Sequence, residues 1–136
     1  MKPKVSVVVC TYNGADKIKS LLDSLKKQTY SKTEIIVVDD GSTDDTSEIV
    51  KKYPFKLIRH TKNRGLADAR NTGIDKSTGS IIVFTDDDCI ADKDWIKNIM
   101  DHYEKNPEAN AVGGRVEAHS INGVIEKYAY YCKHPI

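Results

Sequence analysis

Four short clusters hold most of the side chains able to do chemistry: Thr11-Tyr12-Asn13, Asp39-Asp40-Gly41-Ser42, the stretch from Asn63 to Asn71, and Asp86-Asp87-Asp88. Three adjacent carboxylates after a mainly apolar run are costly unless solvent, hydrogen bonds or a cation compensates. A hard divalent ion takes oxygen ligands, often one or two carboxylates completed by substrate phosphates. The bland alternative is a solvated acidic loop that caps the next helix, and aspartates are common enough at helix starts to leave the two readings level. Asp40 has the same two faces. It can accept N–H groups from the imide edge of uracil or the amino and imino groups of guanine, or it can cap a helix. Tyr12 offers a ring on which a base can stack, or is a rim tyrosine closing the core. Arg64 and Arg70 carry guanidinium forks suited to phosphate oxygens, although an arginine on a helix more often pairs with a neighbouring acid.

Alternating short apolar runs and amphipathic segments must position these groups. Lys4 to Cys10, Glu34 to Asp39, Phe55 to Arg59 and Ile81 to Thr85 read as strands, the first nearly continuous in β-branched residues as in a parallel sheet buried on both faces. Between and after them lie helices. Asn13 is placed to cap the first, in which Ile18, Leu21, Leu22 and Leu25 form one stripe and which should end near Gln28. A short helix carries Ile49 and Val50 and stops at Pro54. A third runs from about Leu66 to Asp75 with Ala67, Ala69 and Gly73 on its tight side. The fourth aligns Trp95, Ile96, Ile99, Met100 and Tyr103 and ends at Asn106-Pro107. Ala111 to Ala118 reads as a further strand with a glycine pair, and Val124 to Cys132 is weakly amphipathic. Four βα pairs in succession predict a doubly wound, mainly parallel α/β layer structure, with ligands bound beyond the carboxyl ends of the strands. All four chemical clusters fall at those ends.

Composition narrows the function. The 136 residues suit one domain, and 21 Lys and Arg against 20 Asp and Glu give a net charge of +1, without the basic excess of a nucleic-acid binder. With 39% apolar and 30% charged residues, a packed core is expected. No apolar run approaches the ~20 residues that span a bilayer, and the amino-terminal apolar stretch is too short for a signal peptide. The expectation is a cytoplasmic chain, at most peripheral at the inner face of the membrane. Cys10, Cys89 and Cys132 show no disulfide or zinc spacing. His60, His102, His119 and His134 show no metal-like pairing and receive no role.

Taken together in this order, the motifs resemble those of the family 2 glycosyltransferases, inverting enzymes of GT-A fold that use nucleotide-diphosphate sugars. The resemblance rests on Val5 to Asn13, Ile36 to Asp44, Asn63-Arg64-Gly65-Leu66-Ala67 with Ala69-Arg70-Asn71-Thr72-Gly73, and Phe84 to Asp88, covering about Lys4 to Val116. It implies a Rossmann-like α/β/α sandwich. It also implies that Thr11, Tyr12 and Asn13 hold base and ribose, with Asp40 on the base edge and Arg70 near the nucleotide. The aspartate triplet matches the family's DxD motif. Asp86 would reach the ribose or first phosphate, Asp87 would take the variable middle position within the nucleotide-binding set, and Asp88 would bind Mg²⁺ or Mn²⁺. A UDP-sugar is the favoured donor, and the acceptor is an unknown sugar, lipid or protein.

Members of that family continue well past the DxD motif to an acidic general base, whereas the stretch after Asp88 here is short. Glu117 and Glu126 stand furthest along it, in no motif that marks a base. The expectation is a single domain over residues 1–136 that comprises the donor-binding portion of a truncated chain, with an uncovered face that favours a homodimer. The alternative is a non-catalytic nucleotide-sugar-binding or assembly module. A nucleotidyltransferase should carry a glycine-rich basic loop after its first strand, and a dinucleotide dehydrogenase G-x-G-x-x-G; Thr11-Tyr12-Asn13-Gly14 is neither.

Overall fold

The computed structural model describes residues 2–117. Strands β1 (Val5–Thr11), β2 (Thr33–Asp39), β3 (Lys56–Arg59) and β4 (Ile81–Asp86) alternate with helices α1 (Ile18–Leu25), α2 (Thr46–Val50), α3 (Leu66–Asp75) and α4 (Trp95–Lys105). All strand pairs are parallel, in the order β3-β2-β1-β4. β1 is flanked on both sides, and Val5, Val7, Val8 and Val9 are fully buried. A strand covered on both faces needs no polar alternation, which is why its sequence reads as a continuous β-branched run.

Alternate residues of β1 serve two cores. Val5, Val7 and Val9 pack with Ile18, Leu21, Leu22 and Leu25 of α1 and with Ile96, Ile99 and Met100 of α4. On the opposite face Ile36 and Val38 pack with Ala69 of α3. Gly73 lets α3 lie close, because a Cβ there would run into the Val8 side chain. The result is a helix–sheet–helix sandwich. Ala67, expected on the tight side of α3, is instead exposed, since two residues along a helix turn the side chain away from the face shared by Ala69 and Gly73.

The chain reverses its direction of winding at the centre of the sheet. From β1 it steps outward to β2 and β3, then crosses back to place β4 on the other side of β1. The carboxyl ends of β1 and β4 therefore flank a topological switch point, where connections leave in opposite directions and a crevice opens. Thr11 ends β1 and Asp86 ends β4.

Three local expectations are corrected. Asn13 does not cap α1, which starts at Ile18. It adopts φ 50°, and its Oδ1 accepts from the Thr43 amide at 2.8 Å, so its side chain ties two loops together. The helix also ends at Leu25 rather than near Gln28, whose amide donates to the Asp92 carbonyl at 2.6 Å and accepts from the Ile96 amide. Residues 111–117 form no strand: their adjacent glycines weaken strand propensity, and β4 has no second strand partner among the described residues. Ala118, the Val124 to Cys132 segment, Glu126, His119, His134 and Cys132 lie outside the described residues.

Candidate functional site

The rim is built around the loop after β2. Asp39 is fully buried and organises it: its Oδ1 accepts from the Ser42 amide at 2.8 Å, and its Oδ2 accepts from the Ser47 hydroxyl. Gly41 sits at φ 79°, with the backbone of Lys62 and Asn63 so near that a side chain has no room. The loop after β2 is thereby pressed against the approach to α3. Ser42 and Thr43 then receive the turn after β1: the Asn13 amide donates to Ser42 Oγ at 2.9 Å, and the Gly14 amide to Thr46 Oγ1 at 2.9 Å.

Asp40 lies 3% exposed beneath this loop. Its Oδ1 accepts from the Arg64 amide at 2.9 Å and faces His60 Nδ1 at 2.6 Å, while Oδ2 accepts from the Gly65 amide at 2.8 Å. Burial alone would raise its pKa, but the hydrogen bonds from the imidazole and the two amides outweigh that and hold it below the ordinary aspartate value. His60 was given no role from the sequence, yet it is buried and fully engaged, with Nε2 2.9 Å from the Thr72 hydroxyl. Its position directly after β3, opposite the buried Asp39-Asp40 pair, is the only signal that marked it.

The three aspartates after β4 part company. Asp86 and Asp88 are exposed, and Asp87 points inward. Asp87 Oδ2 accepts from the Thr11 hydroxyl at 2.6 Å, and its Oδ1 lies 3.3 Å from Lys17 Nζ. That bond and charge raise the Lys17 pKa. Thr11 and Asp87, both expected to face a nucleotide, thus meet each other in the interior: the pleat of β1 puts Thr11 on the face of Val5, Val7 and Val9 that packs on α1, and Asp87, in the turn after β4, is held there by Thr11 and Lys17. Asp86 keeps an exposed carboxylate 3.8 Å from Arg70 Nη2, and the Arg70 guanidinium lies 5.9 Å from the centre of the Phe84 ring. Tyr12, which follows Thr11 in the chain, is 46% exposed. Arg64, just ahead of α3, pairs through its side chain with Asp68 in the first turn of that helix at 3.0 Å. Beneath the rim, burial pushes the Cys10 thiol up to about 11, against the lowering effect of Arg70.

The structure thus leaves Tyr12, Arg70, Asp86 and Asp88 accessible at the carboxyl ends of β1 and β4, with Asp40 just below. No group of three or more metal-ligating side chains gathers among the described residues. Asp88 has an exposed carboxylate that the weak Cys89 thiol approaches at 3.8 Å. That donor set suits a hard ion held by one carboxylate together with phosphate oxygens, and not an all-protein cage. A depression of about 530 Å³ lies at the amino end of β4 beside Pro3, Ile81, Met100 and Tyr103, away from the rim. No described helix is long and apolar enough to cross a membrane.

The chain matches the family model described as Glycosyl transferase family 2 over residues 6–131. It is 36% identical to the glucosyl-dolichyl phosphate glucuronosyltransferase of Haloferax volcanii, over 83% of this chain and 38% of that protein. Glycosyltransferase AglE of the same organism is also 36% identical, over 93% and 44% of the two chains. Among solved structures, S. aureus TarS in complex with UDP-GlcNAc superposes with a TM-score of 0.72 at 33% identity, over 76% of this chain and 32% of that one. The mannosyltransferase PcManGT from Pyrobaculum calidifontis, in complex with GDP-Man and Mn2+, gives 0.68 at 37% identity, over 72% and 31%. The chain spans 38% and 44% of the length of these two curated relatives.

Proposed function

The chain belongs to glycosyl transferase family 2 and has the layered α/β architecture of GT-A structures, and from that premise we propose that its rim binds a nucleotide-diphosphate sugar and serves the transfer of the sugar, with inversion, to an acceptor hydroxyl. The observation that carries this reading is the convergence of Tyr12, Asp40, Arg70, Asp86 and Asp88 on the switch point between β1 and β4. On this reading residues 1–136 act as one donor-binding domain. TarS bound to UDP-GlcNAc and PcManGT bound to GDP-Man and Mn2+ support a nucleotide donor and a metal.

In this assignment Tyr12 stacks on the base, Asn13 holds the turn that contacts the ribose, and Arg70 balances charge near the phosphates. The lone pairs of Asp40 favour uridine. A carboxylate offers roughly four acceptor positions, and Arg64 N, Gly65 N and His60 Nδ1 take three of them. One remaining acceptor on Oδ2 matches the single imide N–H of uracil better than the paired N–H groups of guanine. Asp86 approaches the ribose or first phosphate, and Asp88 holds Mg²⁺ or Mn²⁺. When bound, that ion neutralises charge developing on the leaving diphosphate. Thr11 and Asp87 support the site from inside.

The acceptor, a sugar, lipid or protein, and its general base belong to the part of the reaction that these residues do not name. Glu117, the last described acid, is paired with Arg115 at 2.9 Å. Calorimetric titration of UDP and then GDP, with and without Mn²⁺, tests the donor site. Metal-enhanced binding of UDP over GDP is expected, and a folded sample that binds neither overturns the proposal. Hydrolysis or transfer of a UDP-sugar then separates an enzyme from a binding module.

A further inference from the structure

The bond between Thr11 and Asp87 joins two loops that the proposed function uses for different parts of one ligand. Thr11 immediately precedes Tyr12 and Asn13, on the nucleoside side, and Asp87 sits between Asp86 and Asp88, on the phosphate and metal side. Both side chains are buried, Thr11 at 4% and Asp87 at 9% exposure. Lys17, just before α1, completes the arrangement by supplying a cation to the second carboxylate oxygen. Gly14 makes room for it: a Cβ there would stand 2.5 Å from Thr11 Oγ1 and 2.6 Å from Asp87 Oδ2. The same turn is bound on its other side to Ser42, Thr43 and Thr46. Asp87 therefore closes a hydrogen-bonded chain that runs from the loop after β2, through the turn after β1, to the loop after β4.

We propose that Asp87 is a positioning residue, not a ligand-binding one: held by Thr11 and Lys17, it fixes the loop carrying Asp86 and Asp88 against the turn carrying Tyr12 and Asn13, so that nucleoside and metal-borne diphosphate are held in one geometry. This role rests on the donor-site reading above. Its physical basis is that outer groups which orient a ligating carboxylate set the affinity of the site without touching the ion. A buried carboxylate with both oxygens engaged keeps one rotamer, and its two neighbours in the chain are then fixed in direction. The alternating outward, inward, outward sense of the triplet follows from that anchor.

Calorimetric titration of UDP, with and without Mn²⁺, into the 136-residue chain and its Thr11→Val, Asp87→Asn, Asp87→Ala and Thr11→Val/Asp87→Ala forms tests it. Thr11→Val keeps the shape and has no ligating atom. It should lower the enhancement of UDP affinity by Mn²⁺ about tenfold or more, as should Asp87→Ala. The double variant should be no worse than Asp87→Ala alone, since that change already removes the link to Thr11. Asp87→Asn, whose amide oxygen still accepts from Thr11 but whose NH2 faces the Lys17 ammonium, should lie between the unaltered chain and Asp87→Ala. Hydrogen exchange on the unliganded chain should quicken at the Gly14 and Ala15 amides in Thr11→Val. Should Asp87→Ala fail to fold, Thr11→Val carries the comparison. An enhancement in Thr11→Val within about twofold of the unaltered chain, or additive losses in the double variant, overturns the positioning role alone. Failure of the unaltered chain to bind any nucleotide overturns the donor-site reading and this role with it.

Discussion

His60 Nδ1 stands 2.6 Å from Asp40 Oδ1 in the interior of the rim, and the contact defines both groups. An ionised carboxylate only accepts, so the imidazole carries its proton on Nδ1 and donates it. Nε2 is then left to the Thr72 hydroxyl on α3. One side chain thereby links β3, the loop after β2 and the helix that carries Arg70.

Removing that ring takes a donor from the buried Asp40 carboxylate and a partner from the half-buried Thr72 hydroxyl. His60→Phe should lower stability by about 1–3 kcal/mol, the usual cost of an unsatisfied buried polar group. Urea unfolding of the two proteins measures it, and an unchanged midpoint would show that the contact contributes nothing.

At the opposite end of β2, Glu34 provides a pH-dependent element of stability. Burial would raise its pKa, but hydrogen bonds from the Ser6 hydroxyl, the Thr78 amide and hydroxyl, and the Lys4 ammonium bring it down to about 2 from an ordinary 4.5. A carboxyl whose pKa is lower folded than unfolded stabilises the native state above its unfolded value. That contribution is lost as pH falls from about 4.5 through about 2. Glu34→Gln should therefore show a shallower loss of melting temperature over this window, with the two proteins differing most near neutrality.

Among the described residues Asp88 makes no strong contact, so its role is expected to show only with ligand present. Asp88→Asn should leave the unliganded melting temperature unchanged or raised, by relief of repulsion within the triplet. Metal-dependent UDP affinity should fall on the order of tenfold or more. A large loss of unliganded stability would instead favour a helix-capping role.

Gly73 sets the distance between α3 and the sheet, and hence the height of Arg70 above the rim. Gly73→Ala forces a Cβ into Val8 and should destabilise by about 1–3 kcal/mol, typical of overpacking. A thermal melt checks this. A stabilised protein would mean that α3 shifts freely and that helix propensity dominates.

Much of the frame was legible in the sequence because it follows from local chemistry. Continuous β-branched runs can be stable only where both faces are covered, so the strands and their parallel arrangement could be read from Val5 to Cys10 and Ile35 to Val38. Apolar spacing likewise marked the buried faces of α1 and α4. The strand expected from Ala111 failed because a strand exists only with a partner, which propensity does not supply.

The sequence by itself determined which residue types stand at the strand ends, and therefore the chemical repertoire of the rim: carboxylates, an arginine and a tyrosine. Only the tertiary structure decided which of them face outward. Asp86, Asp87 and Asp88 are identical as letters, but the Thr11 hydroxyl and the Lys17 ammonium hold the middle one, in the turn after β4, inward. His60 is unremarkable in sequence and acquires its role only where β3 lies beside the buried end of β2. Residue type is a local property, whereas exposure and hydrogen-bond partners depend on chain segments brought together from 76 and 20 positions away.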